Sequence, residues 1–199
     1  MRACTTIELM RHGETIAGSC FLGSTDAPLS DLGWQQVQSV INNKKYNRII
    51  SSPLKRCANF AQQFAKEKDL PLTFENNLRE IHFGDWEAKT TKELWNTQQD
   101  KLKAYWDDPV SYTPPNAETF SDFQLRVNSA FTKITKKYKD ERILLVVHGG
   151  VIRQIVSFVL SIPFTKAQQI HIDHGGLTRV ECYEKNMSLG FVNLKAEKI

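Results

Sequence analysis

The sequence predicts an α/β fold, a three-layer sandwich in which a mostly parallel sheet of about six strands, one antiparallel, carries helices on both faces. Two observations predict it. Short apolar, β-branched runs alternate along the chain with longer segments of helical period. The last two runs, "GLTRVECY" and "GFVNLK", flank "EKNMS" closely, as an antiparallel hairpin on an otherwise parallel sheet would.

Each element has its own signal. "CTTIELM" reads as the first strand, and Ser30 caps a helix over "DLGWQQVQSVINN". "NRIISS" is the second strand. Ser52-Pro53 opens the helix "LKRCANFAQQFAKEKD", with proline at the first helical position, where its missing N–H costs nothing. "LPLTFENN" is the third strand. Thr90 and Glu93 have capping-box spacing before "LWNTQQDKLKAYW", as do Thr119 and Asp122 before "FQLRVNSAFTKITKKY", and the Pro-rich "DDPVSYTPPNAE" is the loop between them. "RILLVVH" is the fourth strand, and "VIRQIVSFVLS" the helix after Gly149-Gly150. With no repeat, low-complexity tract or linker, residues 1–199 read as one domain with a helical cap segment at about 86–118.

Composition excludes more than it selects. Of 199 residues, 41% are hydrophobic and 24% charged, ordinary for a globular protein. The net charge of +4 offers no argument for nucleic acid or a membrane surface. Four scattered cysteines without a C-x-x-C pair suggest reduced thiols, and "MRACTTIELM" lacks a signal-peptide pattern, so the expected location is the cytoplasm. The most apolar stretch is broken by His148, Arg153 and Gln154, too interrupted for a membrane span.

In open α/β sheets, ligands bind outside the carboxyl ends of the parallel strands. The first strand ends on Arg11-His12. The second leads to Arg56 in the first turn of a helix, the third to Arg79 and Glu80, and the fourth to His148 and Gly149-Gly150. Arginines and histidines gathered near helix N-termini make a socket for phosphate, since guanidinium forks match its oxygens and free backbone N–H groups add donors. Any one of these residues could be structural. Four strand ends carrying them together are harder to explain that way.

Without a cluster of aspartates the set does not suit metal-assisted hydrolysis. It suits attack by a neutral imidazole and a phosphohistidine intermediate. The arginines would disfavour protonation of the nucleophile and stabilise charge on the transferring oxygens, and Glu80 is the candidate proton donor to the leaving alcohol.

"LMRHGET", "GSTDAPLSDLGWQQ", "SSPLKRC", "LREIHFGDWE" and "VVHGG" resemble, in order, the motifs of the histidine phosphatase superfamily, which includes the cofactor-dependent phosphoglycerate mutases. The resemblance implies that His12 is phosphorylated. It also implies that Arg11, Arg56 and His148 clamp the phosphoryl group, with Gly149 beside them, and that Glu80 is acid and then base. Thr15 and Glu118 would contact substrate. No metal or organic cofactor is implied, and the partner is a small phosphate ester rather than nucleic acid or membrane, with the protein a monomer or homodimer.

Within the superfamily the motifs look most like those of bacterial α-ribazole-5′-phosphate phosphatases, which act in assembly of cobalamin's nucleotide loop. The mutases carry an insertion after the acid motif and a C-terminal tail. Here "LREIHFGDWEAKTTKEL" runs straight into a helix and the chain stops soon after its last strand, which favours a hydrolase. A mutase, a broad-specificity sugar or nucleotide phosphatase, and a non-enzymatic phospholigand-binding module are the alternatives. Gly18 and "PNAET" depart from the usual pattern. The aromatics Trp86, Trp95, Tyr105, Trp106 and Tyr112 could stack on a leaving group or pack the cap onto the core, and the His171–His174 cluster reads as loop more readily than as a metal site.

Overall fold

The computed structural model describes residues 4–41 and 44–195. Six strands form one sheet in the order β3-β2-β4-β1-β5-β6. They are β1 (Thr5–Arg11), β2 (Arg48–Ser51), β3 (Leu72–Phe74), β4 (Arg142–Val147), β5 (Leu177–Cys182) and β6 (Met187–Leu194). The first four run parallel, and β5 is antiparallel to both of its neighbours. The single antiparallel strand is therefore β5, because β6 turns back to the direction of β1.

Side chains alternate across the strands and so feed two cores. Ile7 and Leu9 of β1, with Ile143, Leu145 and Val147 of β4, pack against helices α4 (Phe120–Lys137) and α5 (Gly149–Leu160). Met10, Leu144 and Val146 face α1 (Asp31–Ile41) and α2 (Lys55–Lys68) on the other side. This makes three layers, with β4 apolar on both faces as a central parallel strand must be. Glu8 is the exception on β1. It is fully buried, and its carboxylate accepts from Arg179 (2.7 Å), Arg142 (2.9 Å) and the Tyr46 hydroxyl.

The helix starts follow local chemistry. Ser30 Oγ accepts from the Gly33 N–H at 3.1 Å, and Thr90 with Glu93 forms a full capping box at the head of α3 (Thr91–Asp107). Thr119 accepts from the Asp122 N–H, but the Asp122 carboxylate takes the Thr119 hydroxyl rather than its backbone. The expected end of α1 at Asn42 and Asn43 lies outside the described residues. One start differs from the sequence reading: α2 begins at Lys55, with Leu54 extended at its N-cap and Pro53 before it. The Ser52 hydroxyl that would open the helix at Pro53 instead bonds the His148 ring at 2.8 Å. Strand β3 has only three residues, because the Glu75 carboxylate caps a 3-10 turn at Asn76–Leu78 immediately after it.

The segment 86–118 carries α3, which breaks at Gln98 (φ −146°, ψ 41°), where the side chain accepts from the Trp86 indole N–H at 3.2 Å. Trp86, Leu94 and Leu102 form a small core with Phe21, Phe83, Tyr105 and Tyr112. Trp95 and Trp106 instead stack on each other at the surface. A short α6 (Phe164–Ala167) follows α5. Among the described residues, no helix is long and apolar enough to cross a membrane.

Candidate active site

Strands β1 and β4 are neighbours in register, with Arg11 opposite Val147, so their carboxyl ends deliver His12 and His148 to one place. The two rings meet edge to face with centroids 5.2 Å apart. The turn after His12 is forced by close packing. A Cβ on Gly13 would stand 2.0 Å from the Gly33 carbonyl oxygen, so only glycine lets α1 dock against the loop.

The His12 Nδ1 lies 2.7 Å from the Gly13 carbonyl oxygen. A carbonyl can only accept, so the ring proton sits on Nδ1, and Nε2 keeps its lone pair with no protein partner among the described residues. Burial, then the Arg56 and Arg11 charges, hold the His12 pKa well below the usual 6.5, so the ring is neutral.

His12 opens onto a cavity of about 350 Å³ that Arg11, Thr15, Cys20, Glu80 and His174 also line. Arg11 spends one nitrogen on the Ile172 carbonyl (2.7 Å), while its Nε is buried without a partner, as is Thr15 Oγ1. Unsatisfied buried donors are costly and rare in folded proteins. Both belong to residues on the wall of the His12 cavity.

Arg56 and His148 are fully buried directly behind His12 rather than on the cavity wall. Arg56 Nε donates to His148 Nδ1 (3.2 Å), which places the other ring proton on Nε2, donated to Ser52 Oγ. The remaining Arg56 nitrogens donate to the carbonyls of Leu22, Gly23 and Thr25. Four of a guanidinium's five N–H groups are thereby used among the described residues.

The loop that receives Arg56 is itself tied to Glu87. The Glu87 carboxylate accepts from the backbone of Gly23, Ser24, Thr25 and Phe83. Burial alone would raise its pKa, but these bonds and the Thr25 hydroxyl bring it down to about 2.

Glu80 rests against the start of α5, where Oε2 accepts from the Gly150 N–H at 2.9 Å and Oε1 from Ile81 N–H at 3.1 Å. Gly149 lies under Arg11, whose Nε would be 3.4 Å from a Cβ there. Glu118 is not on the wall of the His12 cavity. Its carboxylate is held by Arg126 at 2.6 and 2.8 Å, and Arg126 also bonds the carbonyls of Asn77, Arg79 and Glu80. Through Arg126, Glu118 thus braces the loop that carries Glu80, and it lines a neighbouring cavity that Glu80 also borders.

The sequence reading took His174 with His171 as loop, but the structure sets His174 on the wall of the His12 cavity. Its ring tilts against His12 with centroids 5.6 Å apart, and burial with Arg11 pushes its pKa down to about 4. The signal for it was its place just before β5, the strand beside β1. His171 turns away to pair with Asp173 at 2.9 Å, so the two histidines do not form one site. Among the described residues, no three His, Cys, Asp or Glu side chains come together as metal donors.

This geometry can be set beside known proteins. A family model for the histidine phosphatase superfamily (branch 1) matches residues 7–195. The chain belongs to the histidine phosphatase superfamily. It is 25% identical over 193 residues to the adenosylcobalamin/alpha-ribazole phosphatase of Escherichia coli K12, covering 94% of this chain and 95% of that one. It is 34% identical over 157 residues to phosphoglycerate mutase-like protein 4 of Arabidopsis thaliana, covering 75% of this chain and 68% of that protein. The alpha-ribazole phosphatase of Shigella flexneri superposes with a TM-score of 0.85 at 24% identity over 98% of both chains, a likeness of fold. Family and named relatives together support a phosphatase.

Proposed function

We propose that the chain is a metal-independent phosphomonoesterase that works through phospho-His12. The observation that carries this reading is His12, whose Nε2 has no protein partner among the described residues, on the wall of a cavity that Arg11, Thr15 and Glu80 also line.

In the first half-reaction the Nε2 lone pair attacks phosphorus. The bond to the ester oxygen breaks, and that oxygen takes a proton from Glu80. In the second, Glu80 accepts a proton from water as it attacks the phosphohistidine, the N–P bond breaks, and inorganic phosphate leaves. Arg11 and Thr15 on the cavity wall receive the phosphoryl oxygens, and the charge of Arg56, buried with His148 behind His12, stabilises them from there. Arginines held in place by backbone carbonyls need little reorganisation as charge develops.

The substrate proposed is α-ribazole 5′-phosphate. The motif resemblance and the names of the 25%-identical relatives support it. A phosphoglycerate mutase is the second reading, favoured by the 34%-identical mutase-like relative.

Rapid alkaline quench with labelled substrate should trap phosphate on the wild type that later acid treatment releases, and none on His12→Ala, which should also lose turnover. EDTA should leave turnover intact, and loss with EDTA restored by zinc would overturn the mechanism. A phosphate-release panel of α-ribazole phosphate, phosphosugars, phosphoglycerates and nucleotides separates the substrates. Isomerisation of 3-phosphoglycerate faster than its hydrolysis would establish the mutase instead.

A further inference from the structure

The turn that leads into β5 brings a third histidine to the nucleophile. The Gly175 N–H donates to the Arg11 carbonyl (3.0 Å), and the Gly176 carbonyl accepts from the Arg11 N–H (3.1 Å), so this turn continues the pairing of β1 with β5 to the end of β1. The turn also closes on α1. Gly175 has φ +72°, and a Cβ there would stand 2.5 Å from the Gln36 carbonyl oxygen. On the other side, Asp173 is fastened to the Asn193 side chain of β6 by two bonds of 2.8 Å. With both neighbours fixed, His174 is set against His12, ring centroids 5.6 Å apart, on the wall of the same cavity. The protein holds Nδ1 of His12 and both ring nitrogens of His148, whereas those of His174 have no hydrogen-bond partner among the described residues.

In-line displacement limits what such a ring can reach. The attacking Nε2 and the leaving oxygen take opposite sides of phosphorus, and the other three oxygens spread around its equator. Glu80 serves the leaving side. A ring packed against the nucleophile's own ring stands on the attacking flank, where only equatorial oxygens come within reach. Arg11 and Thr15 supply two donors for them. Other polar side chains of the wall are less suited. Ser19 and Thr91 are exposed, and the Cys20 thiol, a weak donor, is directed to the Ala17 carbonyl. His174 is left as the third. Burial and the Arg11 charge hold its pKa down to about 4, so near pH 7 the ring is neutral and offers one N–H. A neutral donor stabilises the phosphoryl oxygens without placing a further cation beside His12.

We infer that His174 is a third side-chain ligand of the transferring phosphoryl group, donating its ring N–H to an equatorial oxygen. The inference rests on the phosphomonoesterase reading of the His12 cavity and adds a catalytic residue to it. The contact is made to the group being transferred and not to the alcohol, so it serves every ester alike.

The test compares His174→Leu, which keeps bulk and removes the N–H, with His174→Asn and His174→Gln, whose amide N–H groups fall near the positions of the two ring nitrogens. His174→Leu should lower kcat/KM at least about fivefold on an alkyl phosphate and on p-nitrophenyl phosphate alike, from the loss of one hydrogen bond. Inhibition by orthovanadate, which takes up the five-coordinate geometry of the transfer, should weaken by at least the same factor. One of the two amide variants should recover most of both losses. A smaller loss in His174→Leu shows that no such contact is made. A loss confined to the alkyl ester assigns the residue to proton transfer, and a loss shared undiminished by both amides assigns it to packing. Each of these overturns the inference and leaves the phosphatase reading standing. If wild type hydrolyses neither ester, that reading fails and the contact falls with it.

Discussion

Replacing Gly150 with alanine would separate the position of Glu80 from its chemistry. A Cβ at that position would stand 2.4 Å from Glu80 Oε1 and 3.1 Å from its Cδ. The obstacle is the end of a flexible side chain, so the carboxylate swings away and the backbone stays. Stability should hardly change. Alanine favours a helix by up to about 1 kcal/mol over glycine. The lost charge-assisted bond from the Gly150 N–H, on the order of 2 kcal/mol, is partly recovered when the carboxylate meets water in the cavity. Catalysis should change a great deal, because a general acid displaced by about 1 Å loses on the order of 100-fold. The assay compares an alkyl phosphate, whose leaving oxygen needs a proton, with p-nitrophenyl phosphate, whose leaving group does not. Both are followed in the first turnover, since Glu80 also serves the second half-reaction. The alkyl ester should slow about 100-fold and the aryl ester less than about threefold, with Tm within a few degrees of wild type. Equal losses on both esters, or none on the alkyl ester, would refute the placement of Glu80 as the acid.

Acid stability offers a second check. His12, His148 and His174 all have folded pKa values below the ordinary 6.5, so the unfolded chain binds more protons as pH falls beneath that value. Their contribution is intact above pH 6.5 and is lost as pH falls through and below it, so the denaturant midpoint should drop between pH 7 and pH 5; a flat midpoint would contradict neutral rings at the buried His12 and His148 and the half-buried His174. Glu87 acts at lower pH. Its stabilisation is present above 4.5 and lost toward about 2, and Glu87→Gln should remove that slope and cost about 1–3 kcal/mol, because an amide nitrogen would face N–H donors. His174→Leu should weaken inhibition by inorganic phosphate about fivefold, the scale of one neutral hydrogen bond, and unaltered inhibition would make His174 mere packing. Glu8→Leu should destabilise by about 3–5 kcal/mol in chemical denaturation, since it strands Arg142 and Arg179.

Much of the site was legible because its residues follow strand ends. Arg11, His12, Arg56, Glu80 and His148 are each adjacent to an element whose period identifies it, and a parallel sheet places such ends on one rim. What escaped was carried by residues far apart in sequence. Glu87 supports Arg56 through the loop at 23–25, and Arg126 supports Glu80 through carbonyls some 46 to 49 positions away. No local pattern marks such partners. The pairing of Glu118 with Arg126 is of the same kind. Among the aromatics of 86–118 the sequence offered no division, yet Trp86 packs inside while Trp106 lines a cavity.

By itself the sequence determined the layered sheet, the order of its motifs and the strand ends that meet at the candidate site, since periodicity and glycine turns are local properties. Only the tertiary structure decided which socket residues meet the cavity and which stand behind it, which tautomer each histidine adopts, and which wall lies beside the acid. Those outcomes depend on where every buried donor finds its acceptor, and that accounting closes only when all the elements are packed together.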